Sequence, residues 1–304
     1  MRKSLCEYVL ALIFVAALAS TGCAKGQEIP VIEVTTPGSG EEVTFQNGDV
    51  TLAGTLDMPA GEGPFPAIVT LHGSPPLTRN DIYNLRISHF FVQHGFAVLR
   101  YDKRGAGESA GEYPGVAVES GEESLNLLAD DAIAGVEYLE NHPLIDTGTI
   151  GLAGHSQGGW IGPLAASKST DVAFVLAFSG PACTVGQEIY YSDMVEGGKS
   201  EETEISLQEA SDMARDYQGP HGFDPMPALK KMEQPGLWLL GAKDNSIPVP
   251  LTVEILDAMV TDYGKPFQYI VYTNMNHGWE DEDTGGLYPV LGDALDWLNR
   301  EVSN

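Results

Sequence analysis

Of all the stretches in this chain, Ile150-Gly151-Leu152-Ala153-Gly154-His155-Ser156-Gln157-Gly158-Gly159 leaves the fewest folds open. An apolar run ends in Gly-x-Ser-x-Gly, and helical spacing begins at once, over residues 160–167. A serine on so sharp a strand-to-helix turn takes a strained backbone conformation. Gly154 and Gly158 beside it let neighbouring main chain pass without a Cβ clash. The turn would present the Ser156 hydroxyl at the carboxyl end of a sheet, with the positive end of a helix behind it. That setting favours a nucleophile and its developing negative charge. Alone, the pattern also fits a Gly-rich turn with an incidental serine; its place between strand and helix gives it weight.

The remaining chain supplies a sheet for that turn. Val43-Thr44-Phe45 and residues 50–56, joined by Gln46-Asn47-Gly48-Asp49, read as a hairpin, with Asn-Gly supplying the positive φ angles of a type I′ turn. Short apolar strands are expected at 66–71, 96–101, 149–153, 172–178, 237–240 and 267–272. Helical spacing occupies 84–94, 124–141, about 251–263 and 287–302. In the second of these, Ser124 is the expected cap and Leu127, Leu128, Ile133, Val136 and Leu139 the inward face. Continuous apolar strands alternating with helices indicate an α/β fold, a mostly parallel sheet covered on both faces. The 35 Gly and 19 Pro suit its many turns.

Residues 181–235 break the alternation, and the stretch is too long for an ordinary loop. Helical spacing over 200–217 carries one apolar stripe, Leu207, Ala210, Met213, Ala214 and Tyr217. An insertion leaving a parallel strand emerges at the sheet's carboxyl edge. It therefore reads as a cap, with the stripe over the cleft mouth; packing on the domain's flank is the alternative.

The chain opens with Arg2 and Lys3, then an apolar run over 8–19 too short to span a bilayer. Ser20-Thr21-Gly22-Cys23 follows and resembles the lipobox of bacterial lipoproteins, although Ser20 stands where that motif usually has Leu. The resemblance implies a signal peptide over 1–22, a lipidated Cys23 and a tether over 23–42. A domain over 43–304 would then be held by its lipid anchor at a bacterial membrane, facing the periplasm or the exterior. Cleavage after Ala17-Leu18-Ala19, freeing a soluble periplasmic protein, is the competing reading. With Cys6 removed and Cys23 lipidated, Cys183 has no partner, so no disulfide framework is expected. No other segment approaches 18 apolar residues, so no membrane span is expected in the mature chain.

Further motifs lie in order along the chain. Leu71-His72-Gly73-Ser74-Pro75 follows a strand, and Arg100-Tyr101-Asp102-Lys103-Arg104-Gly105-Ala106-Gly107-Glu108-Ser109 contains Asp-x-Arg-Gly-x-Gly-x-Ser. With the Ser156 turn, these segments resemble the α/β-hydrolase family from about residue 43 to 302. The nearest resemblance is to bacterial esterases and acyl hydrolases that share their catalytic core with prolyl oligopeptidases. It implies the α/β-hydrolase fold and an order of Ser, acid, His. A serine needs a base, and the base needs a partner that holds its tautomer. Asp244, after the strand at 237–240, matches the family's acid, and His277, after the last strand, matches its histidine. The plain alternatives are a turn-capping aspartate and a loop histidine. His155 reads as pointing away from the nucleophile, and His72 lies in the loop resembling the family's oxyanion loop. His89, His94 and His142 fall on or near helices, and His221 in the insertion. The resemblance further implies an oxyanion hole from the N–H groups of Ser74 and Gln157.

Arg104 reads as salt-bridged to Asp102 across the turn, with substrate contact as the alternative. Trp160 and Trp279 flank the site in sequence; each is either an acyl-pocket wall or core packing. Cys183 reads as a buried thiol, and Glu201, Glu202 and Glu204 as a solvated face. A formal charge of −27 argues against nucleic-acid binding. No His-x-x-x-His, cysteine pair, calcium loop or Gly-x-x-x-x-Gly-Lys is present, so no metal or cofactor is expected.

Together these readings predict a serine hydrolase cleaving small carboxylic esters through an acyl-enzyme, with oligomeric state left open. The alternatives are a prolyl-oligopeptidase-type peptidase, an acyl thioesterase, or an inactive ligand-binding lipoprotein on the same scaffold. The first of these usually carries a large gating domain ahead of the hydrolase core, where at most about 40 mature residues stand here.

Overall fold

The computed structural model describes residues 40–196 and 205–302. The signal segment, Cys23 and nearly all of the tether lie outside the described residues, as do Glu201, Glu202 and Glu204.

Eight strands form one sheet: β1 (Glu41–Asn47), β2 (Val50–Asp57), β3 (Phe65–Leu71), β4 (Ala97–Tyr101), β5 (Ile145–His155), β6 (Val175–Phe178), β7 (Gly236–Gly241) and β8 (Phe267–Tyr272). Their spatial order is β1-β2-β4-β3-β5-β6-β7-β8. The β1–β2 hairpin and the β2–β4 pair are antiparallel, and every later pair is parallel. This is the α/β-hydrolase architecture. Strand β1 opens at Glu41, inside the stretch read as tether.

The hairpin differs in its turn. Asn47 pairs with Val50, so Gly48-Asp49 is the two-residue loop, and only Gly48 has positive φ, 57°. That matches the type II′ pattern, glycine first, rather than the expected I′.

Apolar side chains alternate along the central strands and so fill two cores. Val69, Leu99, Leu152, Trp238 and Leu240 face one side, under α2 (Gly121–Glu140), α3 (Gly158–Lys168) and α7 (Val249–Tyr263). Ile68, Val98, Ala153, Leu237 and Leu239 face the other, under α1 (Ile82–Gln93) and α8 (Val290–Glu301). Helix α1 starts where the Asp81 carboxylate accepts from the N–H groups of Tyr83 and Asn84. Helix α2 starts three residues before the expected position. Ser124 is therefore inside it, and its hydroxyl donates to the Gly115 carbonyl at 2.6 Å. Leu128, Val136 and Leu139 are buried as expected, while Leu127 and Ile133 are only half-buried and Leu125 and Ala132 complete the face.

The insertion holds α4 (Val185–Glu196), α5 (Leu207–Arg215) and α6 (Met226–Lys231). A capping box between Ser206 and Glu209 sets the start of α5. Ala210 and Ala214 are buried with Tyr191 of α4 and Leu251 of α7, flanked by Leu207 and Ile255. Met213 points out to solvent, 44% exposed, and Ser211 takes its place inward, accepting from the Leu251 N–H at 3.2 Å. The stripe is thus covered by α4 and α7, its own neighbours, instead of lying over the cleft. No helix among the described residues is long and apolar enough to cross a membrane.

Candidate active site

Strand β5 delivers Ser156 at its carboxyl end with φ 55°. The Ser156 N–H donates to the Phe178 carbonyl at 2.9 Å, and its own carbonyl accepts from the Gly159 N–H at 2.8 Å. These bonds hold the left-handed conformation that an unsupported serine avoids. Glycine is required beside it: a Cβ on Gly154 would sit 2.7 Å from Leu71 Cβ and 2.9 Å from Gly158 Cα. Ser156 is partly exposed while His155 and Gln157 are buried, so the turn presents one side chain outward.

Asp244 follows β7 and is 1% exposed. Its Oδ1 accepts from the N–H groups of Ser246 and Ile247, both at 2.8 Å, and its Oδ2 accepts from His277 Nδ1 at 2.8 Å. From α4, the Tyr191 hydroxyl donates to the Asp244 carbonyl at 2.7 Å, so the insertion anchors this loop. The loop after β8 carries His277. Its carbonyl accepts from His155 Nε2 at 2.9 Å and from the Ser179 hydroxyl at 3.2 Å.

His155, read in the sequence as pointing away from the nucleophile, reaches the loop that carries His277. Its ring stacks on Tyr83 with centroids 3.7 Å apart and lies 4.7 Å from the His277 ring. Burial, then the nearby His277, keeps its pKa well below the ordinary histidine value. It is therefore neutral, and Nε2 carries the proton given to the His277 carbonyl. Ser179, at the end of β6, also has positive φ, 48°. Neither residue's role shows in the pattern of its own segment, because both act on a loop far along the chain.

Across the cleft lies the loop that begins at His72. A Cβ added to Gly73 would stand 3.8 Å from Ser156 Cβ, which puts this loop against the Ser156 turn. His72 Nε2 donates to the Tyr101 carbonyl at 2.6 Å, and burial lowers its pKa to about 3, with Lys103 adding to the shift. Lys103 itself is fully buried. Its ammonium donates to the carbonyls of Gly73, Ser74 and Pro75 and to Gln157 Oε1, and burial brings its pKa down to about 7. Lys103 thus joins the Ser74 loop to Gln157, the residue after Ser156.

Arg104 is not paired with Asp102. It forms a two-pronged pair with Asp131 of α2, Nε to Oδ2 at 2.7 Å and Nη2 to Oδ1 at 2.6 Å, and is 5% exposed. Both prongs are used and the group is buried, so it does not meet substrate. Asp102 instead accepts from the N–H groups of Arg79 and Glu108. Trp160 is core: its indole N–H donates to the Cys183 carbonyl at 2.8 Å. Trp279 is 2% exposed, packed edge-on against Tyr83 and His155, so it supports the site from below and does not wall an acyl pocket. Cys183 is a buried free thiol whose pKa burial pushes well up. Among the described residues no cluster of three or more His, Cys, Asp or Glu is placed to hold a metal ion.

The model of the prolyl oligopeptidase family matches residues 83–304. The chain belongs to the prolyl oligopeptidase family. It is similar to acylamino-acid-releasing enzyme 1 of Oryza sativa subsp. japonica, 24% identical over 78% of this chain and 30% of the relative. It is also 24% identical to human acyl-coenzyme A thioesterase 6, over 79% of this chain and 56% of that protein. The chain therefore spans about a third to a half of these two relatives. In fold it is similar to an esterase of Pyrococcus furiosus, with TM-score 0.64 and 20% identity, covering 87% of this chain and 91% of that one.

Proposed function

We propose that this member of the prolyl oligopeptidase family is a serine hydrolase that cleaves small carboxylic esters through an acyl-enzyme. The observation that carries the reading is the 2.8 Å bond from His277 Nδ1 to the buried Asp244 carboxylate, at the sheet edge that presents Ser156. Ser156 Oγ attacks the ester carbonyl while His277 Nε2 takes its proton. Asp244, fixed by two N–H groups, keeps the proton of the free imidazole on Nδ1 and stabilises the imidazolium. The N–H groups of Ser74 and Gln157 receive the oxyanion. His277 returns the proton to the leaving alcohol, then deprotonates the water that releases the acid and restores Ser156. Esters rank first because the esterase EstD of Thermotoga maritima is among the proteins this chain is similar to, 31% identical over 135 residues.

Wild type and Ser156→Ala, compared on p-nitrophenyl acetate, an acyl thioester and an aminoacyl p-nitroanilide, test the proposal. Wild type should favour the ester, and the variant should lose roughly 10⁴-fold or more. A serine-reactive phosphonate should label wild type alone. A variant keeping a tenth of the activity removes Ser156 from the mechanism. Preference for thioester or amide moves the enzyme to those classes, and no turnover or labelling favours the inactive lipoprotein.

The address is proposed with it: a lipid on Cys23 holds the protein at a bacterial membrane, facing the periplasm or exterior, with soluble export after Ala19 as the alternative. Cys23→Ala should abolish fatty-acid labelling and release the protein to the soluble fraction; an unlabelled wild type supports soluble export.

A further inference from the structure

Lys103 buries a cation that no carboxylate touches, Asp81 acting on it only at a distance. It is 0% exposed, and among the described residues its ammonium makes no ion pair. A methionine would fill similar space without the desolvation cost of a buried charge. The contacts show what the charge achieves. Nζ donates to Pro75 O at 2.9 Å, Ser74 O at 3.3 Å and Gln157 Oε1 at 3.0 Å, and also to Gly73 O. One group therefore grips three consecutive carbonyls of one loop and the side chain that begins the helix behind the nucleophile.

Tyr113 builds a second bridge beside the first. Its hydroxyl donates to Ser74 O and accepts from Gln157 Nε2 at 3.1 Å, while its ring lies 4.2 Å from Lys103 Nζ. Both ends of the Gln157 amide are engaged, and Gln157 is 1% exposed. Its side chain is therefore locked, and its main chain with it.

We infer that Lys103 and Tyr113 are positioning residues that bracket the oxyanion hole, tying the loop of Ser74 to Gln157 so that their two N–H groups keep one spacing. The inference rests on the serine-hydrolase reading, in which those N–H groups receive the oxyanion. Such donors act only when aimed at the oxygen's position in the transition state, so loosening the bracket lowers turnover more than binding.

The test uses Lys103→Met and Tyr113→Phe in the full chain, with Ser156→Ala as control. The readouts are kcat and KM on p-nitrophenyl acetate, inhibition by an aryl trifluoromethyl ketone, whose adduct carries the oxyanion, and thermal melting. Removing a whole oxyanion donor costs roughly 10²–10³ in kcat, so a displaced pair should cost about 10–100-fold in Lys103→Met and about 3–10-fold in Tyr113→Phe. KM should stay within about threefold, and the ketone should weaken in step with kcat/KM. A folded Lys103→Met with wild-type kcat, or a loss carried by KM alone, overturns the bracket. If that variant does not fold, Tyr113→Phe decides, since it leaves the buried lysine in place; wild-type kcat and ketone affinity there overturn the bracket. Ser156→Ala as active as wild type overturns the hydrolase reading and this one together, whereas a dead Ser156→Ala beside unaffected bracket variants sinks only this one.

Discussion

Asp244 shows how much one buried carboxylate can fix. Two main-chain N–H groups hold Oδ1, so Oδ2 faces His277 Nδ1 in a single orientation. In Asp244→Asn the amide would keep the turn but present an NH₂ to Nδ1. The imidazole would then carry its proton on Nε2, where it cannot accept one from Ser156. We expect kcat to fall about 10³–10⁴-fold with a nearly unchanged melting temperature; a kcat within tenfold of wild type removes Asp244 from the machinery. Lys103 gives a pH prediction. Its pKa is about 7 in the fold against 10.5 unfolded, so between those values the unfolded chain binds more proton and stability rises with pH. Lys103→Met lacks this linkage. Urea unfolding at pH 7 and pH 10 should therefore show wild type gaining on the variant, by on the order of 3 kcal/mol. Equal slopes would mean that Asp81, whose charge favours the protonated form, keeps the ammonium charged throughout against burial and the neighbouring His72 and Tyr113. Ser156 was read from its strand–turn–helix motif, and Asp244 and His277 from the family resemblance of the stretches after β7 and β8. The contacts of Lys103, Tyr113 and His155 were not legible, since they arise where distant loops meet. Arg104 was assigned its neighbour Asp102 because Asp131 comes near only once α2 lies against the hairpin.

At the scale of elements, the strands were legible as apolar runs and the helices by their period, with errors gathered at the ends. Helix α2 began early because its first turn is polar, and the hairpin turn shifted by one residue because both Asn-Gly and Gly-Asp fit such loops. Helix α5 is the instructive case. Its spacing correctly announced a buried stripe but could not say against what, and Met213 points outward because the buried face is narrower than the periodicity allowed. Ala210 is 0% exposed between α4 and α7. Ala210→Trp should therefore destabilise by about 1–3 kcal/mol through overpacking, read as a lower urea midpoint. The ratio of kcat/KM between long and short acyl esters should stay unchanged. A shifted ratio at unaltered stability would put the stripe over the cleft after all.

For the whole molecule, alternation announced a parallel α/β sheet, but the order β1-β2-β4-β3-β5-β6-β7-β8 came only with the structure, because pairing between distant strands leaves no local mark. Charge acts at this scale too. With a formal charge of −27, self-repulsion opposes the compact state. The melting temperature should rise when sodium chloride goes from about 20 mM to 500 mM, as the screening length shrinks. A fall would show that ion pairs such as Arg104–Asp131 outweigh the net repulsion. The contact between His155 and the His277 carbonyl joins positions 122 residues apart. A ribosome builds these ends at different times: the serine emerges long before the imidazole that would activate it. Under the proposed mechanism, a nascent chain holds the nucleophile without its base. Turnover by that mechanism would wait until the stretch after β8 docks beside β5.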